Sequence, residues 1–406
     1  MSSKWLSLEE ALTQALNAAS AVSDIEQVSI FDANNRILAQ DIVANVDVPP
    51  WDNSAMDGYA VNTEALEETG STKLELQGVI TAGMRADTPL QKGKAFKIMT
   101  GAPVPDNANA VVMVENTSEC DGQIIINKSP LPHENIRKKA NDIACGDTLV
   151  QKGTRMHAEH LMLLSSQGKD TVEVFRKLRV GVVATGSELA SPGSTRADTQ
   201  IYESNRVGIC SILQNENVEL IDFGIVEDDE ASLRKLFIDA SDRVDVMVSS
   251  GGVSVGDADY VKDIIAALGA IDFWKIAVKP GKPFALGKIH NTLFCGLPGN
   301  PVSSFVTAKL LVVPIIKKMQ GQSEYHAPLS VNATIMAPLK RRAGRRDFQR
   351  ATMVKNARGE WEVTPFKSQS SGVMTSITAA NCLMIVPEDV SELNIGDTVQ
   401  VMPLHA

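Results

Sequence analysis

Five segments of this chain combine residue types able to hold an anion and a hard cation. The densest is Ser249-Ser-Gly-Gly-Val-Ser-Val-Gly-Asp-Ala-Asp259-Tyr260. Its glycines, Gly251 and Gly252 among them, let backbone N–H groups approach an anion with no Cβ in the way. A helix following the loop adds the positive end of its dipole. Asp257 and Asp259 then put acid at the helix start. One aspartate suffices as a cap, a role that fits Asp257, so Asp259 is read as a metal or ligand contact. The segment matches neither GxxxxGK[ST] nor GxGxxG, which argues against a P-loop NTPase and a Rossmann dehydrogenase.

The other four are shorter. In Ala184-Thr-Gly-Ser-Glu-Leu189, Gly186 permits a tight turn and Glu188 offers a carboxylate to the crevice above a sheet. In Lys275-Ile-Ala-Val-Lys279-Pro-Gly-Lys-Pro-Phe284, Lys275 and Lys279 are four apart on an expected strand and share a face, and Lys282 follows from a stiff Pro/Gly turn. Crowded ammonium groups make sense around an oxyanion, although lysines also protect sheet edges. Gly296-Leu-Pro-Gly-Asn-Pro-Val-Ser303 reads as a strand-to-helix turn with Pro301 in the first helical turn and Ser303 offering a hydroxyl and an amide. Pro49-Pro-Trp-Asp-Asn-Ser-Ala-Met-Asp-Gly-Tyr-Ala-Val61 carries Asp52 and Asp57 on either side of small polar residues.

Positioning such loops takes a sheet whose strands end where helices begin. Residues 178–320 alternate strand and helix: Arg179–Ala184, Asn205–Gln214, Val218–Val226, Glu230–Ala240, Val244–Ser249, Asp259–Leu268 and Pro301–Met319. That alternation predicts a parallel sheet with helices on both faces. Before it, Ser7 and Glu10 form a capping-box pattern ahead of an amphipathic helix over 8–19. Short β-type runs follow at Leu74–Ile80, Ala95–Met99, Ala110–Val114 and Ile124–Ile126, then a helix at Ala158–Ser166. From about residue 329 short strands return, predicting a small barrel. The fold class is therefore multidomain α/β plus β: a three-layer parallel-sheet α/β domain (177–328) flanked by a β-rich insert (46–140) and a C-terminal β-barrel (329–406). Residues 1–45 with 141–176 are read as a helical and linker domain.

Composition sets outer limits. The 406 residues exceed one hydrophobic core, and 44% hydrophobic with 22% charged residues is ordinary globular balance. No apolar run reaches the roughly 20 residues of a membrane helix, and the first residues lead into an amphipathic helix rather than a secretory signal, so a cytoplasmic location is expected. Five scattered cysteines form no CxxC pair, which argues against a disulfide framework or structural zinc. His157 and His160 share a helix face without an HExxH pattern and are read as helix-surface residues. A net charge of −10 argues against broad nucleic-acid binding, although Arg137-Lys-Lys139, the Lys275–Lys282 segment and Arg341 to Arg350 are dense in cations.

Taken in order, Asn53-Ser-Ala-Met-Asp-Gly-Tyr-Ala60, Thr100-Gly-Ala-Pro-Val-Pro105, Ser249–Tyr260, Lys279-Pro-Gly-Lys-Pro283 and Gly296-Leu-Pro-Gly-Asn-Pro301 resemble the molybdopterin molybdenumtransferase family, which comprises bacterial MoeA and the C-terminal domain of gephyrin. The resemblance spans essentially the whole chain. It implies that adenylylated molybdopterin and molybdate are substrates, that molybdenum cofactor and AMP are products, and that Mg²⁺ assists. It also implies an elongated homodimer in which the α/β domain of one subunit faces the β insert of the other. Further partners would be the molybdopterin adenylyltransferase and apo-molybdoenzymes, with no nucleic acid and no membrane.

Carried over by motif position, the resemblance makes Asp57, Asp142, Glu188, Asp228 and Asp259 the catalytic carboxylates, with Glu188, Asp228 and Asp259 toward metal. It assigns Ser249, Gly251, Gly252, Ser254, Lys275, Lys279, Pro298, Pro301, Ser303, Arg350 and Ser371 to substrate. One departure stands out. Where the family usually has Gly-Glu after a run of arginines, this chain has Arg137-Lys-Lys-Ala140-Asn141 before Asp142; lysine keeps the charge but loses the bidentate fork. Two rivals remain: a molybdopterin adenylyltransferase, which the α/β segment also resembles, and a gephyrin-like scaffold. The flanking β domains favour the transferase over the first, and no added linker or second catalytic domain supports the second.

Overall fold

The computed structural model describes residues 5–67, 71–251, 260–323 and 327–405. These form two compact units, one of residues 41–151 with 162–170, the other of the rest.

The larger unit is built on a seven-stranded sheet. Its centre is parallel: Thr292–Leu297, Val246–Ser250, Arg179–Thr185 and Glu219–Val226 lie side by side in that order. The first three of these strands are buried nearly throughout because helices cover both faces, which explains runs such as Val180, Val182, Val183 and Ala184, whereas Glu219–Val226, at the sheet's edge, is only partly covered. The helix Asn205–Gln214 buries Ile209 and Leu213 on one face, and Glu230–Ser241 buries Leu233 and Phe237 on the other.

The sheet is mixed rather than all parallel. Gly269–Ile276 and Pro283–Ile289 pair antiparallel, as do Pro283–Ile289 and Thr292–Leu297. Each pair is joined by a short connection, and only antiparallel neighbours can be linked so directly. One edge strand is Trp5–Leu6, so the N-terminal segment enters the α/β sheet. It leads into the helix Leu8–Ala18, where Ser7 and Glu10 form the expected capping box and Ala11 and Ala15 face the core. The long helix expected over 301–319 contains a π turn at Ala308–Val312, just before Pro314, whose missing N–H breaks the regular ladder.

The C-terminal strands close into a five-stranded barrel, because Arg346–Lys355 pairs with both Trp361–Pro365 and Cys382–Val386 while Val331–Ile335 and Thr398–Pro403 complete the ring. A two-residue strand, Val278–Lys279, is added outside this ring against Arg346–Asp347.

The smaller unit carries a six-stranded sheet over residues 58–126, in which Gly58–Val61 sits between Lys94–Ile98 and Ala110–Met113. Its four expected β runs are all strands. The five cysteines are free, and no helix among the described residues is long and apolar enough to cross a membrane.

Candidate functional site

The carboxyl ends of the parallel strands open into a cavity of about 810 Å³ in the larger unit. Each strand delivers a loop to it. Arg179–Thr185 supplies Thr185, Gly186 and Glu188; Glu219–Val226 supplies Asp228; Val246–Ser250 supplies Gly251; and Thr292–Leu297 supplies Pro298, Gly299, Asn300 and Ser303. The turn 279–283 and, from the C-terminal region, Arg345 and Gln369–Ser371 complete the wall. Gly251 has φ +90°, and a Cβ there would lie 2.6 Å from the Thr185 carbonyl oxygen, so two strand ends meet only because the residue is glycine. At Gly281, φ +116°, a Cβ would stand 2.5 Å from Thr307 Oγ1, so this turn also lies tight on its helix.

The wall carries both signs of charge. Burial, then repulsion from Glu188 and Asp229, pushes the Asp228 carboxyl above its ordinary value of 3.8. Two acidic groups that repel across a cavity wall fit a hard cation, which prefers oxygen donors. Among the described residues no cluster of three or more such side chains forms, and Asp259, the third expected metal ligand, lies outside them, as do Gly252, Ser254 and Asp257. Opposite in sign stand Lys279, Lys282 and Arg345. Lys279 Nζ is 3.1 Å from Asp347 Oδ2, and the Lys282 ammonium lies 5.2 Å above the Trp5 ring.

Several expected residues stand elsewhere. Lys275 and Lys279 do not share a strand face: Lys275 belongs to Gly269–Ile276 of the α/β sheet, opposite Pro283, whereas Lys279 pairs with Asp347 beside the barrel. The chain changes sheets at Ala277, whose amide donates to the Leu6 carbonyl while its own carbonyl accepts from the Arg346 amide. Lys275 is not part of the cavity wall. Ser249 is fully buried with its hydroxyl 3.3 Å from the Gly251 carbonyl, and it shapes the loop rather than lining the cavity. Pro301 starts its helix and faces a smaller cavity beside Met374.

Arg350 is 1% exposed and sits behind the wall: Nε donates to Ser376 Oγ at 3.0 Å and Nη2 to the Ser370 carbonyl at 3.2 Å, while Nη1 has no partner. Burial lowers its pKa. Gln369 grips the Arg350 backbone from both sides, accepting from its N–H at 3.0 Å and donating to its carbonyl at 2.9 Å. Pro298, Ser303 and Ser371 do line the cavity, and the Ser371 carbonyl accepts from the Val302 amide at 3.2 Å. Sequence reasoning missed Arg345 as a wall residue and passed over Gln369 and Ser370. The run Ser368-Gln-Ser-Ser-Gly372 after a strand is the turn signal that could have found the latter pair.

Asp57 and Asp142 belong to the smaller unit. Asp57 is exposed, and Thr100 holds its Oδ1 through the amide at 2.7 Å and the hydroxyl at 2.8 Å, which lowers the carboxyl below its usual range. Asp142 is exposed, with its amide donating to the Val48 carbonyl at 3.0 Å. Just before it, Lys138 Nζ pairs with Asp52 at 2.8 Å and Lys139 Nζ with Asp47 at 3.1 Å, so both lysines serve ion pairs inside the unit. Ala140 has φ +60°. This left-handed conformation suits glycine, the residue that the resemblance leads one to expect here.

Three family models match the chain in order: the MoeA N-terminal region (domain I and II) over 6–168, a probable molybdopterin binding domain over 181–318, and the MoeA C-terminal region (domain IV) over 332–404. Together with the cleft at the sheet's carboxyl edge, they define a multidomain protein of the MoeA type. The molybdopterin molybdenumtransferase of Haemophilus influenzae is 39% identical over 401 residues, covering 98% of this chain and 99% of that protein. Its counterpart in Nostoc sp. is 33% identical over 389 residues, covering 94% and 89%. A crystal structure of the molybdopterin biosynthesis moeA protein from Pyrococcus horikoshii matches with a TM-score of 0.85 at 28% identity, covering 98% of this chain and 100% of that one. The chain belongs to the molybdopterin molybdenumtransferase family and is an enzyme of molybdenum cofactor biosynthesis.

Proposed function

We propose that this enzyme inserts molybdenum into adenylylated molybdopterin, with molybdate as the metal source and AMP as the released product. The observation that carries this reading is one cavity, about 810 Å³, with Glu188 and Asp228 on its strand-end loops and Lys279, Lys282 and Arg345 on its other walls. That volume suits a pterin–nucleotide conjugate. The cations answer phosphate and a tetrahedral oxyanion, while the hydroxyls of Ser303 and Ser371 add neutral donors.

Mg²⁺ held by Glu188 and Asp228, joined by Asp259, would supply charge neutralisation as the phosphoanhydride opens. The chain's own residues bind and orient. Lys279 offsets negative charge on the oxyanion, and the 298–300 turn forms part of the cavity wall. We read the enzyme as a cytoplasmic homodimer in which Asp57 of one subunit serves the cavity of the other, with the adenylyltransferase and apo-molybdoenzymes as transient partners.

The test is to incubate the protein with adenylylated molybdopterin, Mg²⁺ and molybdate, then measure nucleotides by chromatography and cofactor by activation of an apo-molybdoenzyme. Molybdate-dependent AMP release with active cofactor is expected. ATP consumption with free molybdopterin, and no molybdate-dependent AMP, would instead establish an adenylyltransferase.

A further inference from the structure

We propose that Asp347 is a positioning residue of this reaction: it holds the Lys279 ammonium at the cavity wall and tempers its charge, so that turnover and anion affinity are set separately. The inference rests on reading the cavity as the site of molybdate and of the nucleotide phosphate.

The backbone brings the two residues together, since Val278–Lys279 runs parallel to Arg346–Asp347 with Lys279 beside Asp347. Their environments differ sharply. The Asp347 side chain is 1% exposed and that of Lys279, a residue of the cavity wall, is 38% exposed. Asp347 Oδ2 accepts from Lys279 Nζ at 3.1 Å and from Gln349 Nε2 at 3.1 Å. Asp347 Oδ1 and the Gln349 Oε1 atom have no hydrogen-bond partner.

A carboxylate taken out of water is costly unless paired, and among the described residues Lys279 is its one cation within ion-pair distance. If Lys279 swung out into solvent, that buried charge would lose its direct partner and keep only the longer-range attraction of the buried Arg350 guanidinium. The lysine is therefore tied down, unlike an ordinary surface lysine with four free torsions. An ammonium has three N–H donors. The bond to Asp347 uses one and leaves the remainder for a ligand.

The second consequence is electrostatic. A buried negative charge beside the ammonium opposes any anion that Lys279 attracts, and the low-dielectric setting makes that opposition felt. Such an arrangement suits an enzyme that must release an anionic product as well as bind an anionic substrate.

Asp347→Asn separates these roles, because the amide keeps the shape and a carbonyl acceptor but removes the charge. Calorimetric titration with molybdate alone should show binding about threefold or more tighter than in the wild type. Molybdate-dependent AMP release at saturation should fall about tenfold, since the ammonium is no longer held. Asp347→Glu, which restores the charge at a shifted position, should return molybdate affinity to the wild-type level while recovering only part of the turnover. Affinity and turnover that fall together with the melting temperature would overturn the proposal in favour of a structural pair, and values unchanged from wild type would overturn it outright. Should Asp347→Asn not fold, Gln349→Met carries the test: it removes one hydrogen bond to Oδ2 and keeps the charge, so turnover should fall with affinity unchanged, and any other pattern counts against the idea. If the wild type releases no AMP at all, the reaction assigned above fails, while the molybdate titrations still decide whether Asp347 governs Lys279.

Discussion

Thr100 grips a single oxygen of Asp57 with two donors, its amide at 2.7 Å and its hydroxyl at 2.8 Å. The two residues come from separate motifs of the smaller unit, so the carboxylate is aimed by a distant piece of chain rather than by its own loop. The amide bond, then the hydroxyl bond, favour the ionised form and depress the Asp57 carboxyl below 3.8. A depressed carboxyl stabilises the fold above its unfolded value, and that contribution is lost as pH falls through the folded value. Thr100→Val keeps the amide donor and removes the hydroxyl. The Asp57 titration, followed by side-chain carboxyl NMR, should move up toward 3.8, and turnover should drop with little change in melting temperature. An unmoved titration would show that the amide alone sets it.

The alanine at position 140 yields a prediction of opposite sign. Ala140 adopts φ +60° while its amide donates to the Pro49 carbonyl at 3.0 Å, so the conformation is fixed by the loop. A Cβ in the left-handed region costs roughly 1–2 kcal/mol. Ala140→Gly should therefore stabilise the protein by about 1 kcal/mol, the rest being offset by the greater freedom of glycine in the unfolded chain. Urea unfolding measures this, and a loss of stability would refute the strain.

Much of this architecture was legible in the sequence because local signals and burial agree there. The capping box at Ser7 and Glu10, the buried run Arg179–Thr185 and the helix Asn205–Gln214 each follow from patterns within about a dozen residues. Part of the cavity wall was legible where motifs sit on strand ends, as at Glu188, Pro298 and Ser303. It was not legible where the chain changes sheets. Nothing in Lys275 to Lys279 announces that the first belongs to one sheet and the second to another, because that outcome depends on a pairing with Asp347, 68 residues away. Burial of Arg350 was hidden for the same reason, since its partners Ser370 and Ser376 arrive only when the barrel closes.

Asp245 ties the strand Arg179–Thr185 to the chain that precedes it. Its carboxylate accepts from Arg176 Nη1 at 2.7 Å, Arg176 Nη2 at 2.9 Å and the Arg179 amide at 2.8 Å, with its side chain 14% exposed. Burial pushes this carboxyl up, but the bonds from Arg176 and Arg179 outweigh burial and hold it below 3.8. Asp245→Ala leaves Arg176 without its bidentate partner and should cost roughly 3 kcal/mol near neutral pH. The sign of the linkage adds a check: the wild-type advantage exists above the unfolded value and disappears as pH falls through the folded one. Unfolding curves of the two proteins should therefore converge in acid. A constant gap from neutral pH into acid would mean that packing, not charge, sets the difference.

Glu188 and Asp228 supply the prediction that bears most directly on metal. Burial raises the Asp228 carboxyl above 3.8, and the Glu188 charge raises it further. A raised carboxyl works in the opposite sense to Asp57: its contribution to stability is present below the unfolded value and is lost as pH rises through the folded value, so the ionised pair opposes folding at neutral pH. A divalent cation between the two reverses this opposition, because it binds the folded arrangement and hardly binds the unfolded chain. Adding Mg²⁺ at neutral pH should therefore raise the melting temperature of the wild type, and the rise should shrink as pH is lowered and Asp228 takes up a proton. Glu188→Gln removes the repulsion along with one ligand charge. Without Mg²⁺ it should melt at or slightly above the wild-type temperature, and with Mg²⁺ it should gain less. Asp228→Asn should behave in the same way, since the pair acts as one unit. If Mg²⁺ stabilises the wild type and both variants equally, the cation is acting elsewhere on this acidic protein, and the two carboxylates have another role in the cavity.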